Sequence, residues 1–343
     1  MPQDDFFELP PELLERLHLV PELPLNYLKR TSELDALKKL VLAGKDSSVV
    51  IAGKSQPVTS RIGIHGMGGI GKSVLAAAVV REREVLEHFR EGIFWLTIGQ
   101  TPQIKLLQSE LAFALSGNQF TFETEQQGKM RLGELLRTKR CLLVLDDVWE
   151  SRFAMFFNEL GAQCRMLVTT RNAEITKSLG AKLWPLDLLD DAQALELLAR
   201  WAGAELSLPS EATAVAEKCG NLPLALSLAG ALVGDGMRWS SVLVAITQAK
   251  LEILNQEQES VQFALKASLD HLAEDERAAY LKLAVFPEDV TIPEPTLCTL
   301  WKQTANLESD QVERLIGRFK NRGLLHTFGE SPTRLIALHE WSS

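Results

Sequence analysis

The sequence predicts an α/β fold on a parallel sheet, followed by a small helical bundle and then by helices closed with a β-hairpin. Three observations predict it. Between about residues 60 and 187, short apolar runs alternate with helix-period segments, the pattern of parallel strands joined by right-handed crossovers. From Asp190 the strand-like runs stop, and helical patterns follow one another. Near the end, Leu324 to Phe328 and Arg334 to Leu338 read as two short strands separated by Gly329-Glu330-Ser331-Pro332.

Composition bounds the rest. A chain of 343 residues has room for two or three domains, and 46% hydrophobic with 24% charged residues predicts sizeable buried cores. A formal net charge of −9 argues against a protein-wide nucleic-acid or anionic-membrane surface. Cys141, Cys164, Cys219 and Cys298 lie far apart, mostly among apolar residues and without zinc-type pair spacing. Reduced thiols in a cytoplasmic protein are expected. No apolar run approaches the ~20 residues that cross a bilayer, and Met1-Pro2-Gln3-Asp4-Asp5 does not read as a signal peptide.

In chain order, residues 1–26 carry five prolines around a helical patch from Glu12 to Leu19, which predicts a lead-in arm. Ser32 with Asp35 reads as a capping box before Leu34, Leu37 and Val41, with Gly44 as the stop. Ile62 and Ile64 mark a strand, and Ile93 to Ile98 mark another. Ile104, Leu107, Leu111 and Leu115 share one helix face, and Met130 to Arg137 is helical. Cys141 to Leu145 is the continuous apolar run of a strand covered on both faces. Arg165 to Thr169 is another strand, and Lys182 to Leu186 a shorter one near an edge. Helices are predicted over 190–201, 210–219, 222–232 and 240–254, then over 261–269, 275–284, 295–303 and 309–320. The expected domains are an α/β domain over 27–187, a helical domain over 188–258 and a winged-helix domain over 259–343.

Gly66-Met67-Gly68-Gly69-Ile70-Gly71-Lys72-Ser73 stands between the Ile62 strand and a run, Val74 to Val80, that can continue as a helix. Strand, glycine loop, helix is the context of a phosphate-binding loop. Glycines let the backbone turn sharply and aim successive N–H groups inward, and the helix adds the positive end of its dipole. The loop, with Val74 behind it, predicts binding of a nucleoside di- or triphosphate. Lys72 would reach the β- and γ-phosphates and Ser73 would ligate Mg²⁺. The competing reading is a glycine-rich turn with an exposed lysine, and the filling of every motif position argues against it.

The apolar strand ends in Asp146-Asp147, and a parallel strand delivers its C-terminal end to the ligand crevice. Two carboxylates there call for a cation. Asp146 is assigned to the metal, and Asp147 to polarising an attacking water. A helix N-cap pair is the bland alternative. Thr169-Thr170-Arg171 ends the next strand, where the arginine fork suits a γ-phosphate; a surface ion pair with Glu174 is its alternative. Gly220-Asn221-Leu222-Pro223-Leu224-Ala225 fits helix punctuation. It also fits a Pro223 contact with an adenine ring, and spacing does not choose between the two. His339, in Leu338-His339-Glu340, reads on physics alone as a solvated or capping side chain.

The order of these segments, with Phe286-Pro287-Glu288-Asp289, resembles the NB-ARC family of STAND-class NTPases. That family includes plant immune receptors, the apoptosome-forming protease activator of animals and bacterial relatives. The resemblance runs from about Leu25 to the C-terminus. It implies nucleotide, helical and winged-helix domains closing over ADP or ATP, and a Thr170-Arg171 strand between those of the phosphate loop and Asp146. It implies that Arg171 meets the γ-phosphate, Pro223 the adenine and His339 the β-phosphate of ADP. Tyr27-Leu28-Lys29-Arg30 looks like the motif on the adenine side, nominating Leu28 and Arg30, with Lys29 where the family has glycine. Glu340 stands where the family has aspartate.

The expected function is an ADP/ATP switch of defence or cell-death type, with slow ATP hydrolysis and self-association in the ATP state. Effector and sensor partners are expected on missing segments or other chains, so the sequence reads as a fragment or a core. A membrane partner is not expected. A STAND-type transcription regulator reading DNA through its winged helix is the alternative, on the basic stretch from Arg314 to Arg322. A turnover motor of the related AAA class is another.

Overall fold

Leu142–Val148 is buried at every position, and so is Arg165–Thr170. Runs this apolar are stable only with protein on both faces, so they form the middle of the sheet. The computed structural model describes residues 10–43, 60–204, 207–252, 259–286, 290–328 and 331–338. It divides into two units, one of residues 1–21, 29–67 and 72–186, the other of 22–28, 68–71 and 187–343.

The first unit holds a six-stranded sheet. Its strands are β1 (Leu17–His18), β2 (Arg61–His65), β3 (Ile93–Gly99), β4 (Leu142–Val148), β5 (Arg165–Thr170) and β6 (Lys182–Pro185). The order is β1-β3-β4-β5-β2-β6, and every pairing is parallel. Register pairs His65 with Thr170 and Leu145 with Val168. The C-terminal ends of β2, β4 and β5 therefore emerge along one edge, where open parallel sheets place their ligands. On one face, Phe94, Leu143, Leu145, Met166 and Val168 pack with Leu111 and Leu115 of one helix and Leu132 and Leu136 of the next.

The helices of this unit are α1 (Pro11–Leu14), α2 (Thr31–Leu42), α3 (Lys72–Val80), α4 (Arg83–His88), α5 (Ile104–Ser116), α6 (Glu125–Leu136), α7 (Ser151–Ala154) and α8 (Ala173–Ser178). Several depart from the sequence expectation. The helix expected to reach Leu19 stops at Leu14, and Leu17–His18 pairs with Ile93 and Phe94 instead. The edge of β3 has backbone groups to satisfy, and two residues of extended chain do so. Ser32 is not a cap: α2 begins at Thr31, so Ser32 already lies in the first turn, its hydroxyl donating to the Glu33 carboxylate. The proposed stop at Gly44 lies outside the described residues. Helix α6 begins at Glu125, capped by Thr124, whose hydroxyl accepts from the Gln127 N–H.

The second unit contains α9 (Asp191–Ala202), α10 (Ser210–Lys218), α11 (Pro223–Gly234), α12 (Trp239–Glu252) and α13 (Glu259–Asp270). Helix α11 is apolar nearly all round because it packs against α9 on one side and α13 on another. Asp190 and Gln193 form a reciprocal capping box for α9, and Gly203 ends it in the left-handed conformation. Then come α14 (Glu274–Leu281), α15 (Glu294–Ala305) and α16 (Ser309–Asn321), with a three-stranded antiparallel sheet. Its order is β7 (Ile292–Pro293), β9 (Leu335–Leu338), β8 (Leu325–Phe328). The hairpin matches expectation, and β7 is an addition too short to leave a periodic signal. Trp301 and Tyr280 both pack edge-on against Phe319; the Trp301 indole donates to the Ala279 carbonyl and the Tyr280 hydroxyl to the Leu324 carbonyl. Among the described residues no helix is long and apolar enough to cross a membrane.

Candidate nucleotide site

Strand β2 ends at His65, and the glycine loop carries the chain into α3, which opens at Lys72. Gly69 (φ 72°) and Gly71 (φ 94°) occupy the left-handed region, which explains why the loop needs glycine there. Lys72 is buried. Its Nζ donates to the carbonyls of Gly66 (3.0 Å) and Met67 (2.8 Å), closing the loop on itself. Burial, and then the charge of Arg171, bring its pKa down to about 8, against the pull of Asp147 and Asp146.

The adjacent hydroxyl reaches across the sheet. Ser73 Oγ donates to Asp146 Oδ1 at 2.7 Å, and Thr169 Oγ1 donates to the same oxygen at 2.5 Å. The Asp147 N–H in turn donates to Thr169 Oγ1 at 2.9 Å. Burial pushes the Asp146 carboxyl up to about 6, while its bonds from Thr169 and Ser73 resist that rise. Burial also raises Asp147, opposed first by a hydrogen bond from the Trp149 indole (Nε1 to Oδ2, 2.7 Å) and then by Arg171 and Lys72. Asp147 adopts φ 52°, uncommon for a residue with a side chain. The helix-cap alternative for the aspartate pair does not apply, since α7 starts beyond it with Glu150 at the N-cap.

Arg171 lies just past the end of β5, its guanidinium 4.7 Å from the centre of the Trp149 ring. Glu174, its alternative partner, makes an ion pair with Lys177. Thr170 Oγ1 donates to the Val148 carbonyl at 2.7 Å and so ties β5 to the end of β4. A hydroxyl bonded to a buried carboxylate, with a second carboxylate beside it, is a set of hard oxygen donors. That set suits Mg²⁺.

The structure thus brings Lys72, Ser73, Asp146, Asp147 and Arg171 into one electrostatic cluster. Gly66, Gly68 and Ile70 are buried, Val74 is half-buried, and Met67 is exposed. Pro223 is the first residue of α11, as helix punctuation requires, and the next N–H, of Leu224, donates to the Gly69 carbonyl at 3.2 Å. Leu28 is buried before α2, and Arg30, at the start of α2, pairs with Glu33. His339 lies outside the described residues. Thr169 and Trp149 went unassigned in the sequence reading. The only signal for them was adjacency to Arg171 and Asp147, because their roles depend on which side chain each meets across the sheet.

A glycine loop between a parallel strand and a helix, with its serine bonded to an aspartate on β4 and with β5 between, defines a P-loop NTPase fold. Residues 52–207 match the NB-ARC domain. The chain belongs to the NB-ARC family of P-loop NTPases. It is 32% identical over 326 residues to apoptotic protease-activating factor 1 of Danio rerio, covering 89% of this chain and 24% of that protein. With the human protein of the same name it shares 31% over 324 residues, covering 89% and 24%. A probable disease resistance protein of Arabidopsis thaliana is 28% identical over 294 residues, covering 81% and 34%. The chain therefore spans about a quarter to a third of the length of these relatives. A STAND protein with a tetratricopeptide repeat sensor from Pyrococcus horikoshii shares the fold, with a TM-score of 0.60, 15% identity and coverage of 94% of this chain and 42% of that one.

Proposed function

We propose that this chain is the nucleotide switch of a signalling protein of defence or cell-death type, cytoplasmic, held closed by ADP and opened by ATP to self-associate. The observation that carries the reading is the bond from Ser73 to Asp146 beside the buried Lys72, an arrangement suited to a metal and a phosphate. Similarity to proteins named for protease activation and disease resistance supports the signalling role. In this reading residues 27–187 bind the nucleotide, 188–258 form a helical domain and 259–343 a winged-helix domain. The β8–β9 hairpin following α14 to α16, paired with β7 in one antiparallel sheet, supports the last assignment. Effector and sensor functions reside on other segments or chains.

The loop from Gly66 to Ser73 and Val74 would hold the phosphates, with Lys72 exchanging its two carbonyl partners for phosphate oxygens. Ser73 and Asp146 would hold Mg²⁺, which supplies charge neutralisation at the phosphates when bound. Leu28, Arg30 and Pro223 would flank the adenine, and His339 would meet the β-phosphate of ADP. Asp147 would accept a proton from a water whose oxygen bonds to the γ-phosphorus as the bond to the bridging oxygen breaks, leaving ADP and phosphate. Arg171 would balance charge on the γ-phosphate. Inverting a 1:99 population takes about 5.5 kcal/mol, and charge-assisted hydrogen bonds supply roughly 1.5–3 kcal/mol each. Two or three contacts made in one state alone, such as His339 to ADP or Arg171 to ATP, would suffice. Slow hydrolysis then acts as a timer.

The DNA-binding alternative finds no favouring observation. Arg314 pairs with Asp310, Arg318 with Glu276, Lys320 with Glu22 and Arg322 with Asp235, so the local basic charge is matched within the protein.

Two measurements test the switch: identifying the nucleotide released on denaturing the purified protein, and determining particle mass with Mg-ADP and with Mg-ATP. ADP on release and a larger particle with ATP are expected. No bound nucleotide, together with one mass in both conditions, would sink it.

A further inference from the structure

We infer that Trp149 is a positioning residue that ties the phosphate-sensing Arg171 to the carboxylate of Asp147; this rests on the hydrolysis reading above. Two contacts on one planar ring carry it. The indole N–H donates to Asp147 Oδ2 at 2.7 Å, and the ring lies beneath the Arg171 guanidinium, 4.7 Å from its centre. Indole nitrogen is a donor only, so it orients a carboxylate rather than competing with it for protons. Tryptophan is also the aromatic side chain that attracts a guanidinium most strongly.

The backbone around the contact shows why Asp147 needs such a tether. It sits at φ 52°, with its own N–H committed to Thr169. That conformation turns the carboxylate out of the strand's alternation, so strand geometry no longer aims it. The indole bond holds Oδ2 and with it the plane of the carboxylate that would accept from a water. Arg171 follows β5 directly, and Thr170 anchors that strand end to the Val148 carbonyl. The long arginine side chain continues from that anchored end to lie over the indole face. One ring therefore sets the orientation of the water-polarising group and of the group that meets the γ-phosphate. An apolar anchor would account for the ring's position alone, without the carboxylate bond or the guanidinium above it.

Two substitutions separate the contacts. Trp149→Phe keeps an aromatic face but removes the donor. Single-turnover ATP hydrolysis should fall about tenfold or more, with ATP and ADP affinities within about twofold of the original. Trp149→Leu removes both, and the ratio of ATP to ADP affinity should also fall, about two- to fivefold. Affinities come from equilibrium titration with Mg-nucleotide, and thermal melts check that each variant is folded. Asp147→Asn and the unaltered protein are measured alongside. If neither hydrolyses ATP, or both do so equally, the hydrolysis reading fails, while the affinity ratio of Trp149→Leu still decides the role of the ring. An unchanged rate in Trp149→Phe, with hydrolysis in the unaltered protein dependent on Asp147, would overturn the proposal. So would an unchanged affinity ratio in folded Trp149→Leu.

Discussion

His18 shows how much a single side chain can depend on its setting. It stacks flat on Phe94, ring centres 4.6 Å apart, and burial moves its pKa below the ordinary 6.5. The unfolded chain then takes up the proton first as pH falls, so the contribution of neutral His18 is complete above about 6.5 and declines below it. His18→Phe keeps the stack and cannot protonate. Denaturant titrations at about pH 7.5 and about pH 5.5 should show a smaller acid loss of stability in the variant than in the original protein. His88, also shifted downward by burial, is common to both and cancels in the comparison. At the site, the residue types were legible: a lysine, a hydroxyl, two carboxylates and an arginine announce phosphate and metal. Their partners were not. That Ser73 and Thr169 would share one oxygen of Asp146, or that Trp149 would bridge Asp147 and Arg171, depends on rotamer and register, which no spacing encodes.

Long helices are easiest to read from sequence because a 3.6-residue period repeats several times within them, and α5, α9 and α11 lie within a residue or two of expectation. Two-residue strands such as β1 and β7 carry no period and exist because a neighbouring edge needs partners. Close packing between helices is similarly hidden. At Gly230 on α11, a Cβ would lie 2.7 Å from Trp201 Cβ and 3.0 Å from the Leu198 carbonyl oxygen, so α9 occupies the space a side chain needs. Gly230→Val should cost about 1–3 kcal/mol, read as a lower urea midpoint. Gly317 on α16 has nothing within 4 Å of its Cβ position, and Gly317→Ala should instead raise stability by roughly 0.4–1 kcal/mol. Equal effects at both positions would contradict this account of the α9–α11 contact.

For the chain as a whole, a ligand that binds only the folded form stabilises it, by about 2.7 kcal/mol at a hundredfold excess over its dissociation constant. Mg-ADP should raise the melting temperature in a concentration-dependent way. Lys72→Met should abolish that rise while leaving a cooperative melt, since the lysine's own bonds are to the loop it closes. A full ADP shift in Lys72→Met would remove this lysine from the phosphate site.

The amino-acid sequence by itself determined the chemistry and its order: a glycine loop between strand and helix, carboxylates ending an apolar strand, an arginine ending the next, and helices afterwards. These survive in one dimension because each is a local pattern of residue types. Tertiary structure decided which of them meet. The order β4-β5-β2 sets Thr169 beside Asp146 and brings Ser73 to the same oxygen, and pairing along the β3 edge turned the end of a supposed helix into β1. Strand order is set by crossovers that bury apolar faces, and a carboxylate's partner by the register that follows. Both are properties of the packed sheet, absent from any single stretch of chain.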